Sequence, residues 1–395
     1  MQNEAFILEI PYGMRDFLPD EAATKRAIES GLADLFAQWG YDEVVTPTIE
    51  YLDTLTIGSG SGLEPHMFKF FDRNNRTLAL RHEMTTPIAR VVASRLRDAE
   101  LPIKLSYISS VFRYEQAQTG RQCEFNQAGV ELVGSASVAA DAEVIALAVE
   151  GMQHSGLKNF QICLGQVEFI NGIMHQLHLT EEQQEKIRKA MEQRNFVDLD
   201  HIIDAIDLPQ SARSSLKKIP LLRGGEEMLK QAYAMAMNEQ SRRALDNLSE
   251  IYRLLKTYDA ADYVCFDFGV IRDFNYYTGM VFEAYTPALG FPICGGGRYD
   301  RMLSDFGSFC PATGFAMGIE RILLALEREG LPKPHIEKDV YIAYANDART
   351  FEAIQQARSL RRDGKIVELA FSAKSEAEAR SYQKAKGYSE LLYIK

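Results

Sequence analysis

The sequence lacks any uninterrupted apolar run of about 18 residues, so it predicts no helix that spans a membrane. Cysteine is sparse, with 5 residues in 395, and none of them stands in a Cys-x-x-Cys spacing. An odd number of scattered cysteines, without a signal-peptide pattern, indicates reduced thiols and a cytoplasmic protein. The histidines include only one close pair, His175 and His178, which is too little to predict a metal site.

Positive charge is also scarce, since 44 basic residues face 55 acidic ones and leave a formal net charge of -11. That balance disfavours an extended nucleic-acid groove, although it leaves room for a local one. A hydrophobic content of 46% and a charged content of 25% are typical of a globular protein. A chain of 395 residues is long enough for two or three domains, each with its own core.

Two alternating apolar runs with a high polar content lie at residues 105–115 and 123–133. Alternation of this kind predicts two antiparallel strands joined by a long loop. The polar side chains of this hairpin include Arg113, Glu115, Arg121, Glu124, Gln127 and Glu131. On one sheet face, arginine could bind carboxylate or phosphate, while glutamate and glutamine could accept hydrogen bonds from ammonium or imidazole. The hairpin therefore predicts a site for a small zwitterion or nucleotide, and a solvated hairpin face is an equally good interpretation of this stretch alone.

The rest of the chain divides into segments of different character. Residues 1–328 are expected to form one large domain, interrupted by a helical insertion at about 165–260. Residues 329–338 resemble a linker in composition. Residues 339–395 alternate as strand, helix, strand, helix and strand, which predicts a small α/β domain.

Two features near the end of the large domain point to a ligand. The glycine run at 295–297 permits close approach of a ligand or of another strand. Residues 313–324 have the pattern of a strand running into a helix, with Arg321 in the opening turns of that helix. We expect Arg321 to be a buried cation that pairs with a phosphate or carboxylate.

The order of these motifs resembles the catalytic domain of class II histidyl-tRNA synthetases over roughly residues 5–330. The resemblance rests on Phe112-Arg-x-Glu115 with Gly120-Arg121, Tyr276-Tyr277, Gly-Gly-Gly-Arg-Tyr-Asp at 295–300, and Gly314-Phe-Ala-Met-Gly-Ile-Glu-Arg321. It implies an α+β fold, with a six-stranded antiparallel sheet flanked by helices, and a dimer.

Four departures from the synthetase pattern narrow the resemblance. The chain has Arg81-His-Glu-Met-Thr-Thr86 in place of Arg-Pro-Glu-Gly-Thr-Ala, Cys123 in place of an arginine, and Arg272-Asp-Phe-Asn275 in place of Arg-Gly-Leu-Asp. Its anticodon-binding-like domain at 339–395 is truncated directly after the third strand. All four are similar to the paralogous family that serves as the regulatory subunit of ATP phosphoribosyltransferase, the first enzyme of histidine biosynthesis.

The resemblance implies a site for L-histidine as an effector, with no cofactor and no metal. Glu83 and Gln127 would bind the ammonium group, Glu131 would accept a hydrogen bond from the imidazole, and Tyr276 and Tyr277 would line the ring. Thr85 and Arg272 belong to the same predicted histidine-binding set.

The same resemblance implies a vestigial anion site without catalytic residues. Arg113 and Arg321 match the ATP-contacting arginines of the synthetases, and Glu115 and Arg121 accompany them in the motif. Arg272 matches the catalytic arginine. Because adenylation needs positioned cations at the phosphate, the retention of these arginines keeps a catalytic interpretation open.

The functional expectation is a non-catalytic regulatory subunit. It would bind L-histidine, dock as a homodimeric building block of a hetero-oligomer onto a short-form catalytic subunit, support that partner's activity and transmit feedback inhibition. tRNA is an unlikely partner because most of the anticodon module is missing and the net charge is negative. An active histidyl-tRNA synthetase and a stand-alone histidine-adenylating enzyme remain as alternatives.

Overall fold

The structure is a computed structural model that describes residues 8–59, 64–114, 122–270, 277–307, 309–332 and 337–395. The chain divides into two compact units, Met1–Lys333 and Pro334–Lys395.

Most strands of the larger unit belong to one sheet. The described strands of this unit are β1 (Asp42–Glu43), β2 (Ile49–Tyr51), β3 (Lys69–Phe71), β4 (Thr77–Leu80), β5 (Ile103–Phe112), β6 (Glu124–Val133), β7 (Gln161–Gln166), β8 (Arg223–Gly224), β9 (Val264–Asp267), β10 (Met280–Tyr285), β11 (Cys294–Arg298) and β12 (Ala312–Gly318). Nine of them form a sheet in the order β1-β5-β6-β12-β11-β10-β7-β9-β8, and β2-β4-β3 form a small separate sheet. The six strands from β5 to β7 are antiparallel throughout, while β1 and β9 extend this core in parallel. This confirms the predicted fold class, with a six-stranded antiparallel core inside a wider sheet.

Helices flank the sheet, and the chain between β7 and β9 is mainly helical. The described helices of this unit are α1 (Pro19–Gln38), α2 (Leu52–Ser59), α3 (Thr85–Arg95), α4 (Val138–His154), α5 (Val167–Gln176), α6 (Glu181–Glu192), α7 (Phe196–Asp204), α8 (Gln210–Lys218), α9 (Glu226–Met235), α10 (Glu239–Thr257), α11 (Met302–Asp305) and α12 (Ile319–Arg328). The amphipathic pattern at 239–257 coincides with α10, which begins where the Asn238 side chain accepts a hydrogen bond from the Ser241 N–H at 2.7 Å.

One face of the sheet packs into the main core. Because side chains alternate along a strand, Val130 on β6 and Phe315 on β12 point to the same side, where they are paired and buried. Phe36 from α1 meets Phe315 with ring centroids 6.0 Å apart. Buried side chains of α4 and α10 complete the same cluster.

The opposite face has few side chains at its centre. Gly129 on β6 pairs with Ala316 on β12, which pairs with Gly295 on β11. One step along, Gly314 on β12 lies between Glu131 and Gly297. These glycines form a floor without side chains of its own, and neighbouring side chains lie close to its backbone. Near the β5 end of the floor, a second apolar cluster holds α3 and α11 against the sheet.

The smaller unit alternates strand and helix as the sequence predicted. Its elements are β13 (Lys338–Tyr344), α13 (Thr350–Arg362), β14 (Val367–Leu369), α14 (Glu376–Lys386) and β15 (Tyr388–Ile394). The strands form a parallel sheet in the order β14-β13-β15. A capping box at Ser375 and Glu378 begins α14, and Gly387, with φ +74°, ends it in the left-handed conformation.

Candidate functional site

Glu131 of β6 is the centre of a polar cluster on the glycine floor. Its side chain is buried, with 1% exposure, and the Thr85 hydroxyl donates to its Oε1 at 2.8 Å. The Tyr299 hydroxyl donates to its Oε2. The carboxyl lies over Gly314, where any Cβ would collide with Oε2. The absence of a side chain at position 314 therefore makes room for this carboxyl.

The environment of Glu131 favours its neutral form. Burial raises the pKa of the Glu131 carboxyl to about 8, against the opposing effect of the hydrogen bonds from Tyr299 and Thr85. A carboxyl that titrates near neutrality can accept a hydrogen bond from an imidazole or exchange a proton with it. This property would suit recognition of a histidine side chain.

Glu83 joins the cluster through the start of α3. Its carboxylate accepts hydrogen bonds from the N–H groups of Thr85, at 2.6 Å, and Thr86, at 2.9 Å. This arrangement caps the helix and holds the Thr85 hydroxyl over Glu131. Each carboxylate oxygen has two lone pairs, so the cap uses only part of the acceptor capacity of Glu83.

Gln127 projects from the same face as Glu131, four residues earlier on β6. Its Oε1 is buried and has no hydrogen-bond partner within the part of the chain that the structure describes. A buried acceptor without a donor indicates that a ligand or solvent group satisfies it. Tyr277 lies beside the floor, since a Cβ at Gly297 would come within 2.7 Å of its Cδ1.

The predicted arginines differ in their surroundings. Arg113 donates from Nε to the His82 carbonyl at 2.9 Å, and its guanidinium lies 5.4 Å from the Phe125 ring centroid. Arg321 lies in the first turn of α12 as predicted, but the expectation that it is buried was wrong. It is exposed, because its Nη1 reaches outward to the Pro292 carbonyl, at 2.6 Å.

Four of the predicted site residues, Glu115, Arg121, Arg272 and Tyr276, lie outside the described residues. Of the remainder, the structure brings Glu83, Thr85 and Glu131 into one hydrogen-bonded group. Gln127 and Tyr277 lie along the same glycine floor. Their roles in binding stay predictions.

Sequence reasoning missed two tyrosines. Tyr299 donates to Glu131 although 168 residues separate them, and it stands in the Gly-Gly-Gly-Arg-Tyr-Asp motif, where no role was predicted for the tyrosine. Tyr107, paired with Gly129, is buried and fills the space above that glycine. Burial, and next the nearby Glu131, raise the pKa of Tyr107 well above its usual value, which keeps the phenol neutral.

A buried ion pair fixes the end of the glycine strand. The Arg298 guanidinium lies 2.8 Å from Asp141 of α4, and both side chains are largely withdrawn from solvent. Among the described residues, no group of three or more side chains could hold a metal ion. Within those residues, no helix has both the length and the apolar character needed to cross a bilayer.

The antiparallel sheet with its buried carboxyl agrees with the expected class II synthetase-like fold, and a comparison with known families identifies its type. The family model described as histidyl-tRNA synthetase matches residues 13–322. The structure is also similar to a histidyl-tRNA synthetase from Nostoc sp. PCC 7120, with a TM-score of 0.83, 20% identity, and coverage of 96% of this chain and 90% of that one. At that identity the likeness shows the fold alone.

Other relatives are more similar and carry a different name. The ATP phosphoribosyltransferase regulatory subunits of Moorella thermoacetica and Desulforamulus reducens are each 43% identical, over 380 and 388 residues. The first match covers 96% of this chain and 96% of the relative, and the second covers 97% of this chain and 94% of the relative. A solved Bacillus halodurans C protein, described as an ATP phosphoribosyltransferase regulatory subunit/histidyl-tRNA synthetase, has a TM-score of 0.88, 35% identity and 98% coverage of both chains. The chain belongs to the family of ATP phosphoribosyltransferase regulatory subunits, which are non-catalytic members of a histidyl-tRNA synthetase-like fold.

Proposed function

We propose that this chain senses L-histidine for an ATP phosphoribosyltransferase complex. It docks onto a short-form catalytic subunit, is required for that subunit's activity, and transmits feedback inhibition when histidine binds. A homodimer of the chain is the building block of the hetero-oligomer. The observation that carries the proposal is the buried Glu131 carboxyl, held between Thr85 and Tyr299 on the glycine floor.

The geometry suits a ligand with a donor at each end. Four residues of an extended strand span about 13 Å, so Gln127 and Glu131 stand at the two ends of the proposed site, with the buried Tyr107 over Gly129 between them. An imidazole N–H would donate to Glu131, while the ammonium would donate to the buried Oε1 of Gln127 and to Glu83. Tyr277 and the floor glycines would enclose the ring.

The comparisons support a regulatory role because relatives that match nearly the whole chain are named regulatory subunits. The charge supports it too, since a net charge of -11 is unsuited to an extended tRNA contact. If histidine lowers the partner's affinity for its ligands, those ligands must lower the affinity for histidine by the same factor. That reciprocity distinguishes a sensor from a passive pocket.

A second candidate function, histidine adenylation by an active synthetase, has one feature in its favour. Arg113 and Arg321 persist as residue types, and adenylation needs cations at the α-phosphate. Against this candidate, both arginines donate hydrogen bonds to backbone carbonyls, Arg113 to that of His82 and Arg321 to that of Pro292.

Calorimetry with L-histidine and histidine-dependent ATP–pyrophosphate exchange on the same sample separate the two functions. The proposal predicts binding without exchange. Glu131→Gln should weaken binding by about 2- to 10-fold, because Glu131 is mainly neutral near pH 7 and a hydrogen bond to a neutral group contributes about 0.5–1.5 kcal/mol. Glu320→Gln is the matched control, because Glu320 accepts hydrogen bonds from Asn126 on the opposite face of β6. This variant should bind histidine with normal affinity. Exchange at a clear rate would instead establish the synthetase.

A further inference from the structure

Two cysteines face each other on neighbouring strands, away from the glutamate cluster. Cys163 on β7 and Cys265 on β9 are direct partners in the parallel register, and their Sγ atoms are 3.4 Å apart. Neighbouring strands lie about 4.8 Å apart, inside the range of about 4.4–6.8 Å that a disulfide allows between Cα atoms. A bond would need the sulfur atoms to approach by only about 1.4 Å.

Arg223 connects this pair to the surface. It lies on the short edge strand β8, and its Nη2 donates to the Sγ of Cys163 at 3.5 Å. Its Nε also lies 3.6 Å from Asp267, and its side chain is 53% exposed. The two thiols are themselves buried, and this partly exposed guanidinium is in contact with one of them.

The two thiols are not equivalent. The hydrogen bond between them lowers the pKa of Cys265, and the Arg223 charge acts in the same direction. The same hydrogen bond, followed by burial, raises the pKa of Cys163. The Arg223 charge acts to lower the pKa of both thiols, so it favours the thiolate that a redox-active pair needs.

We propose that Cys163 and Cys265 are a redox modification site that forms a reversible disulfide with a hydroperoxide as oxidant. The Cys265 thiolate attacks one peroxide oxygen, the O–O bond breaks, and the leaving hydroxide takes a proton to become water. Cys163 then attacks the sulfur of the resulting sulfenic acid, the S–O bond breaks, and the second water leaves with the thiol proton. In total two thiols lose two electrons and two protons, and hydrogen peroxide is reduced to two waters.

The crosslink would lie on the same sheet face as the glycine floor. Cys163 pairs across the sheet with Glu283 of β10, which pairs with Gly295 of β11. The other interpretation of the pair is simple packing, because both cysteines belong to a small apolar cluster with Val167, Val270 and Val281. Packing alone does not require a guanidinium at the sulfur.

The test is a peptide map of the purified full chain after treatment with hydrogen peroxide and alkylation of the remaining thiols. Trypsin places the two cysteines in the peptides 159–186 and 257–272, each with one cysteine. The proposal predicts that these peptides appear crosslinked, lighter by two hydrogens than their sum, and that dithiothreitol separates them. It is overturned if both cysteines remain alkylated, or oxidise singly without a crosslink.

Variants add a second test. Cys265→Ser should abolish the loss of two hydrogens from the intact mass, whereas Cys310→Ser should retain it. Cys310 is the matched control because it is more exposed than either member of the pair and lies on a different part of the chain. If Cys265→Ser does not fold, the map of the unaltered chain decides the question.

Discussion

Glu131 is the residue in which fold and proposed function meet. Burial of this carboxyl on the glycine floor destabilises the fold, and it raises the pKa of Glu131 to about 8 from an ordinary value of 4.5. Thr85 and Tyr299 reduce this cost without removing it. A buried acidic group held by two hydroxyl donors is what a site for a nitrogen heterocycle requires.

The raised pKa of Glu131 gives a pH dependence of defined sign. Between about pH 4.5 and pH 8 the folded chain holds a proton that the unfolded chain releases, so stability falls as pH rises through this window. Glu131→Gln removes this pH dependence. The free energy of unfolding of the variant, relative to that of the unaltered chain, should therefore increase by up to about 1.4 kcal/mol for each unit that the pH rises. Urea unfolding followed by fluorescence measures it, since the single tryptophan, Trp39, stacks on Tyr258 in the larger unit. Parallel pH profiles for the two proteins would contradict the burial argument.

At the scale of the element, the important feature of β12 is Gly314, a position without a side chain. Gly314 lies between Glu131 and Gly297, so a side chain there would collide with the Glu131 carboxyl and the Val130 carbonyl. The strand thus leaves space for the Glu131 carboxyl where a side chain of its own would stand.

Gly314→Ala tests the floor. The backbone carbonyl of Val130 cannot rotate away, so we expect a loss of about 1–3 kcal/mol of stability from overpacking, together with weaker histidine binding. Gly290→Ala is the matched control, because a Cβ at Gly290 meets nothing within 4 Å, and it should alter neither quantity. Denaturant unfolding and calorimetry provide the two readouts, and normal binding by Gly314→Ala would show that the floor is not part of the site.

Much of the element pattern could be predicted because it is local. The alternation in the hairpin, the amphipathic period of α10 and the strand–helix order of the smaller unit lie within short windows of sequence. The neighbours of Glu131 could not be read in this way, because Tyr299 is 168 residues away and Gly314 comes from a non-consecutive strand. Arg321 was placed in the correct turn, but its exposure depends on which face of α12 packs against the sheet.

At the scale of the molecule, the chain combines a synthetase-like fold with the name of a regulatory family. The larger unit has the antiparallel sheet of that fold, while the relatives of the chain are named for regulation of ATP phosphoribosyltransferase. A fold does not determine an activity, so the function has to be inferred from the residues of the proposed histidine site. A pocket that binds histidine without activating it would act as a sensor, provided that binding is coupled to a partner.

The most direct test of this account is histidine inhibition of a reconstituted complex. The measurement is ATP phosphoribosyltransferase activity of the cognate short-form catalytic subunit, alone and with this chain, across a titration of L-histidine. The account predicts that activity requires the chain, that histidine inhibits the complex, and that Glu131→Gln preserves activation while shifting inhibition to about 2- to 10-fold higher histidine. Activity that is independent of the chain, or inhibition that is unchanged by Glu131→Gln, would contradict it.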